Sequence, residues 1–443
     1  MADYSVFWRD PDNPPMKLVR GEGVYLFDDG GNRYIDAAAG AAVCSLGYGN
    51  EEVAETLKEQ AKKLNYTHTS EFGSEPLIKF ADELVSLSPD GLTKVHPVSG
   101  GSEATETALK LARVFNIERG QARKYKVISR SASYHGATLG VLPLTGKTSR
   151  QEAFAPMMVS ATKISPAYCY RCPFGRSPDN CSLECANDLE RAIVEEGEET
   201  VSAFIAEPIS GASLPGVHPP DEYWVRVREI CDKYDVLLIV DEVMSGAGRS
   251  GRWWAIDHSG VVPDMIASSK GLGAGYTPLG AVVIHDRIYQ ELKGSGDSFN
   301  HGFTYEGNPV SAAAGLKILQ IMQREDLIEK AGSTGEKLLD SLRDSIGDRQ
   351  NVGEIRGRGL LIGVEFVRDE KSREPFPKGL NIESRIRKAC LKNGLHVYPG
   401  GSPVNGRWNS HVLIAPPFTL DDEHVEKIVT SLKQSIEEVI SGL

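Results

Sequence analysis

Apolar and polar residues alternate at the start of the chain. Val24 to Phe27 and Arg33 to Ile35 flank Asp28, Asp29, Gly30, Gly31 and Asn32, a composition that predicts a β-hairpin. Glu51 to Leu64 and Pro76 to Leu87 carry apolar residues at helical spacing and are predicted as amphipathic helices. From about residue 93 to 325 short apolar runs alternate with turn residues and helical patterns. The clearest runs are Lys126 to Ser129, Ser202 to Ala206, Val236 to Val240 and Gly280 to Ile284. Unbroken apolar strands between helices predict a mostly parallel sheet covered on both faces. After about residue 326 the pattern changes. A helix is predicted over Glu336 to Ser345, with strands near Leu360 to Phe366 and His396 to Tyr398. In the closing helix Val425, Ile428, Val429, Leu432, Ile436, Val439 and Ile440 share one face. The expected class is α/β. A large domain over 61–325 is expected to be sandwiched by helices, and a smaller α+β domain to be built from both chain ends, 1–60 and 326–443.

Composition narrows the setting. The 443 residues are 40% hydrophobic and 25% charged, ordinary for a globular chain. A net charge of −12 argues against general nucleic-acid binding, although it leaves room for a local basic site. No apolar run approaches a membrane span. The first residues, MADYSVFWRDPDNPP, are acidic where a signal peptide would be basic and then apolar, so the expected location is cytoplasmic. Four of the seven cysteines cluster as C-x2-C-x8-C-x3-C: Cys169, Cys172, Cys181 and Cys185. Such thiolates can close a structural, tetrahedral zinc site; free thiols are the plainer alternative.

Four further features carry chemistry. Gly100, Gly101 and Ser102 open a helical pattern, and a helix start presents free N–H groups suited to a phosphate; a capped helix needs no ligand at all. Asp241 ends the 236–240 run, at the edge where open α/β sheets bind ligands. It either holds a proton on a ring nitrogen or caps a loop. Lys270 lies in Ser268-Ser269-Lys270-Gly271-Leu272-Gly273, where a buried lysine can act as a nucleophile and a solvated one cannot. Tyr134, in Tyr134-His135-Gly136, can stack on a flat ring or simply fill the core. Gly140 to Thr148 imitates a P-loop, but it has one residue too many between its glycines, and Pro143 removes a backbone donor. Trp253 and Trp254 are expected to pack the surface of the large domain.

In this order and spacing, followed by Gly302-Phe303-Thr304-Tyr305, the set resembles the fold-type-I pyridoxal-phosphate enzymes, and among them the class III aminotransferases of the ω-aminotransferase group. The likeness runs nearly end to end, from DDGGNRYID (Asp28 to Asp36) to IAPPFTLDDE (Ile414 to Glu423). The resemblance implies ping-pong amino transfer through a Schiff base on Lys270, with Asp241 pairing the pyridinium nitrogen of pyridoxal 5'-phosphate. It implies phosphate contacts from Gly101 and Ser102, and from Thr304 of a neighbouring subunit. It also places Tyr134, His135, Glu207 and Val243 around the ring, in a homodimer or a dimer of dimers.

The chain departs from relatives that act on α-amino acids. Their arginine three residues before Pro-Pro is here Leu413, and their glutamate five residues beyond the Glu-Pro glutamate is here Ala212. Loss of both halves avoids a stranded buried charge, worth about 3–5 kcal/mol. The pattern resembles the amine:pyruvate branch instead, whose mobile arginine is nearly in register with Arg407. Arg407 is either a clamp for a substrate carboxylate or a solvated loop residue. Where that branch tends to carry a tryptophan, Gly40 is followed by Ala41, Ala42 and Val43, which predicts a roomier pocket. The expected substrates are an amine or ω-amino acid donor and a small keto acid such as pyruvate. A decarboxylating aminotransferase, an aminomutase, or a silent cofactor- or metal-binding protein are the alternatives.

Overall fold

The computed structural model describes residues 5–295, 299–404 and 406–443. A seven-stranded sheet lies at its centre. In spatial order its strands are Leu92–Val98, Gly280–His285, Met265–Ser268, Leu237–Asp241, Val201–Ala206, Lys126–Arg130 and Thr162–Ile164. Gly280–His285 runs antiparallel to both neighbours, and the other pairings are parallel. Every residue of Val201–Ala206 and Leu237–Asp241 is buried, which explains their unbroken apolar character.

Helix Gly101–Glu118 buries Ala104, Ala108, Leu111, Ala112 and Phe115 against one face of this sheet, with Ala203, Ile205, Leu237 and Ile239. The other face packs Phe204, Leu238, Val240 and Ile266 against Leu189, Ile193, Tyr223 and Val227 of helices Glu184–Glu196 and Asp221–Lys233. Side chains pointing alternately to the two faces therefore feed two separate cores.

Both chain ends share another core, in which Val24, Ile35 and Val53 meet Leu338, Ile362, Val412, Ile428 and Leu432. The hairpin Tyr25–Asp28/Arg33–Asp36 forms as expected, and Leu395–His396 pairs parallel to its second strand. A second small sheet joins Val352–Arg358, Leu361–Asp369, Arg407–Ile414 and Tyr398–Val404. Helix Pro309–Arg324 contributes to both the end core and the central core, so the two are continuous through it. Asn308 caps this helix by accepting from Val310 N–H and Ser311 N–H, at 3.0 and 3.1 Å.

Two expectations are corrected. Trp254 is not on the surface. It is fully buried, and its indole N–H donates to the Leu87 carbonyl at 2.9 Å. The four clustered cysteines do not form a closed zinc site. They are neighbours, but Cys181 turns its sulfur toward Leu183 N–H (3.4 Å) and the Glu184 carboxylate (3.8 Å). Cys185 sits inside a helix and Cys169 in a short helical turn, with exposures that differ from one to the next. Among the described residues, no three His, Cys, Asp or Glu side chains are arranged to hold a metal ion.

Candidate active site

The carboxyl ends of four neighbouring strands converge on one pocket. Glu207 follows Val201–Ala206, Asp241 ends Leu237–Asp241, Lys270 follows Met265–Ser268, and His135 lies just beyond Lys126–Arg130. This is the edge at which an open parallel sheet has nothing to cover it, so a ligand can enter. Gly101 and Ser102, at the start of helix Gly101–Glu118, close the side of the pocket, and Tyr134 and Val243 complete it. The cavity holds about 200 Å³. A larger cleft of about 1060 Å³ runs past Trp253, Glu329 and Arg358, but no lysine among the described residues lines it.

Lys270 has its backbone in the left-handed region at φ 43°, next to Gly271, where an added Cβ would come within 2.8 Å of the Ala247 Cβ. The main chain is thus held in a costly conformation that aims the lysine into the pocket. Burial pushes the Lys270 amine below its usual range, although the Asp241 and Glu207 carboxylates oppose the shift. A lysine with a depressed pKa more readily sheds its proton and becomes nucleophilic.

Asp241 is buried. One carboxylate oxygen accepts from Val243 N–H at 3.0 Å, and the other meets His135 Nδ1 at 2.7 Å. The His135 ring is also buried, and its Nε2 has no partner among the described residues. These two hydrogen bonds hold the buried carboxylate in one orientation. Glu207 differs: burial first, then the Asp241 charge, push its carboxyl up, and Gly211 N–H donates to it at 3.2 Å.

Around the helix start, space is set by missing side chains. A Cβ on Gly101 would approach Val243 Cγ1 to 2.7 Å. One on Gly136, whose φ is +140°, would approach Val141 Cγ2 to 2.6 Å and Ser102 Oγ to 2.8 Å. Ser102 Oγ accepts from Ala137 N–H at 3.1 Å, tying the helix start to the turn after Tyr134. The guanidinium of Arg150 lies 5.1 Å from the Tyr134 ring centroid.

The structure therefore assembles Lys270, Asp241, His135, Glu207, Gly101, Ser102, Tyr134 and Val243 in one place. Thr304 stands apart on the surface of the same chain, its carbonyl accepting from Tyr66 O–H at 3.0 Å. Arg407 is also apart: it is exposed and lines a different cleft with Tyr170, Arg171 and Arg373. Ile209, Ala212, Met244 and Ser269 line the Lys270 pocket too. No local signal in the sequence marks Ile209, Met244 or Ser269, although each lies within two residues of a motif residue. Leu413 packs with Ala42, Ile209, Leu361 and Ala415, and Met244 and Tyr398 close this cluster beside the pocket.

Comparison with known proteins agrees with this geometry. Residues 7–436 match the family model for class III aminotransferases. A putrescine–pyruvate aminotransferase of Pseudomonas aeruginosa is 35% identical over 96% of this chain and 91% of its own length. A diaminobutyrate–2-oxoglutarate transaminase of Halomonas elongata is also 35% identical, over 98% of this chain and 92% of its own. A crystal structure of an (S)-enantioselective ω-transaminase from Thermomicrobium roseum superposes with a TM-score of 0.91, at 35% identity, over 97% of this chain and 94% of that one. The chain belongs to the class III aminotransferase family, whose fold is the fold-type-I transferase fold. It is a transaminase, of a family that works with pyridoxal phosphate.

Proposed function

We propose that this transaminase moves an amino group from an amine or ω-amino acid to a small keto acid, pyruvate foremost, by a ping-pong reaction centred on Lys270. The observation that carries this reading is a buried lysine of depressed pKa sharing one pocket with a carboxylate that a histidine holds in place. The pocket fits the family's cofactor. Gly101 and Ser102 offer a phosphate the start of a helix, the glycines at 101 and 136 let Val243 and the turn after Tyr134 pack closely against that start, and Asp241 suits a protonated ring nitrogen. When bound, pyridoxal phosphate supplies the electron sink that labilises a Cα proton of the substrate.

The protein's own groups do the rest. Lys270 Nζ would hold the cofactor and would take and return the substrate's proton. Asp241 would face the ring nitrogen, and His135 fixes its orientation. Tyr134 and Val243 confine the flat ring, and Glu207 lies beside it. Thr304 serves the phosphate of a partner subunit in a homodimer, which accounts for its distance from Lys270 in its own chain.

Donor choice follows from Leu413 and Ala212. The wall they form with Ile209 and Met244 has, among the described residues, no cation to pair with a second substrate carboxylate. A second carboxylate, as in 2-oxoglutarate, would lose water against that wall without gaining a partner. Half-reactions with a panel of amines, ω-amino acids and α-amino acids, followed by the cofactor's visible absorbance, test this. Amines and ω-amino acids should react faster than glutamate, and pyruvate should reverse the change faster than 2-oxoglutarate. A preference for glutamate and 2-oxoglutarate would refute the donor and acceptor assignment.

A further inference from the structure

A third cavity, a cleft of about 530 Å³, lies outside the Lys270 pocket and is lined in part by Arg171, Arg176, Arg373 and Arg407. In a chain of net charge −12, the four guanidinium groups around this hollow outnumber the two carboxylates paired with them. Two of them have carboxylate partners: Arg171 Nε meets Glu365 at 2.8 Å and Arg176 Nε meets Glu184 at 2.6 Å. Arg373 and Arg407 have none among the described residues. Arg373 Nη1 donates to the Tyr170 carbonyl at 2.6 Å, and Arg171 Nη1 donates to the Arg373 carbonyl at the same distance. Both guanidinium groups lie over the Tyr170 ring, 4.7 Å and 5.1 Å from its centroid. Arg171 and Arg373 are thus held in position before any ligand arrives. Arg171 is only 10% exposed, and its Nη2 is buried without a hydrogen-bond partner among the described residues.

We propose that this cleft binds a small polyanion with clustered oxyanion groups, phosphate or carboxylate, gripped by Arg373 and Arg407 with Arg171 behind them. Guanidinium forks match the paired oxygens of both groups, and an anion between like charges relieves their repulsion. The volume suits a small molecule. The cleft is shared by the loop 169–176, which leads from the central sheet, the turn at 372–373 and the hairpin strand Arg407–Ile414. A bound anion therefore bridges that loop to the small sheet of the C-terminal part.

Calorimetric titration of the holoenzyme with pyrophosphate and with citrate, at low salt, tests the site while the cofactor occupies its own. The expected result is saturable binding of at least one anion, one per chain, with Kd below about 1 mM. Added salt should weaken it. Tighter pyrophosphate identifies phosphate as the ligand chemistry, and tighter citrate identifies carboxylate. The double variant Arg373→Ser/Arg407→Ser should lose at least about tenfold in affinity, the scale of one charge-assisted hydrogen bond. Lysine at both positions keeps the charge without the fork and should retain part of the binding. The proposal is overturned if neither anion binds, if the folded serine variant binds within twofold of wild type, or if binding displaces the cofactor and bleaches its absorbance.

Discussion

Glu242 follows Asp241 directly, yet the two carboxyls face different surroundings. Asp241 shares a hydrogen bond with a histidine. Glu242 is fully buried, accepts from Ser245 O–H and from Ile256 N–H at 2.8 Å, and has no ion-pair partner among the described residues. Burial pushes its carboxyl up to about 8. A carboxyl whose folded pKa lies above its unfolded value contributes stability that is complete below about 4.5 and is lost as pH rises through about 8. Glu242→Gln imitates the protonated form. Its melting temperature relative to wild type should therefore improve steadily from pH 5 to pH 8.5, measured by calorimetry on the holoenzyme. A difference independent of pH would show that Glu242 is ionised throughout. At this scale the sequence was legible for Lys270, Asp241 and Ser102, because each sits at a strand end or helix start that its neighbours announce. The His135–Asp241 hydrogen bond was not, since 106 residues separate its ends and only the sheet brings them together.

Among the elements, legibility followed burial. Leu237–Asp241 and Val201–Ala206 are buried on both faces and stand out as apolar runs. Two other strands did not stand out. Leu92–Val98 is an edge strand, half-exposed and interrupted by Pro97, so its composition is mixed. Arg407–Ile414 buries Asn409, Ser410 and His411, polar residues that normally mark a loop. Arg407, which the sequence left as either a substrate clamp or a loop residue, begins this strand and lines a cleft other than the Lys270 pocket. The turn after Tyr134 is the element on which cofactor retention should depend most. Gly136 has φ +140° and no room for a Cβ between Val141 and Ser102. Gly136→Ala should weaken cofactor retention by about tenfold or more while the chain stays folded, as the Ser102 contact shifts. Equilibrium dialysis against graded pyridoxal phosphate reads this out, and unchanged retention would free the turn from any role in the phosphate site.

On the scale of the whole molecule, one buried network joins the central sheet's loops to the C-terminal sheet. Glu365, wholly buried on Leu361–Asp369, accepts from Arg356 (2.8 Å), Arg171 (2.8 Å) and Tyr168 O–H. Burial alone would raise its carboxyl, but Arg356 and Arg171 hold it below the usual carboxylate range. Arg356 Nε also donates to the Pro215 carbonyl at 3.1 Å. Nothing in the sequence pairs residues 168 and 171 with 365, because ion pairs leave no periodicity. Glu365→Ala would leave buried Arg171 without its carboxylate and Arg356 with Glu354 alone, which costs about 3–5 kcal/mol. Urea unfolding should show a shift of that size. A shift below about 1 kcal/mol would mean that water or relaxation replaces the pair.

The central claim is that Lys270 is the residue that holds the cofactor and moves the proton. Borohydride reduction of the purified holoenzyme, followed by proteolysis and mass spectrometry, locates the covalent attachment. The account predicts one phosphopyridoxyl group per chain, on the peptide containing Lys270. Attachment at another lysine, or no attachment in a protein that still transfers amino groups, would contradict it.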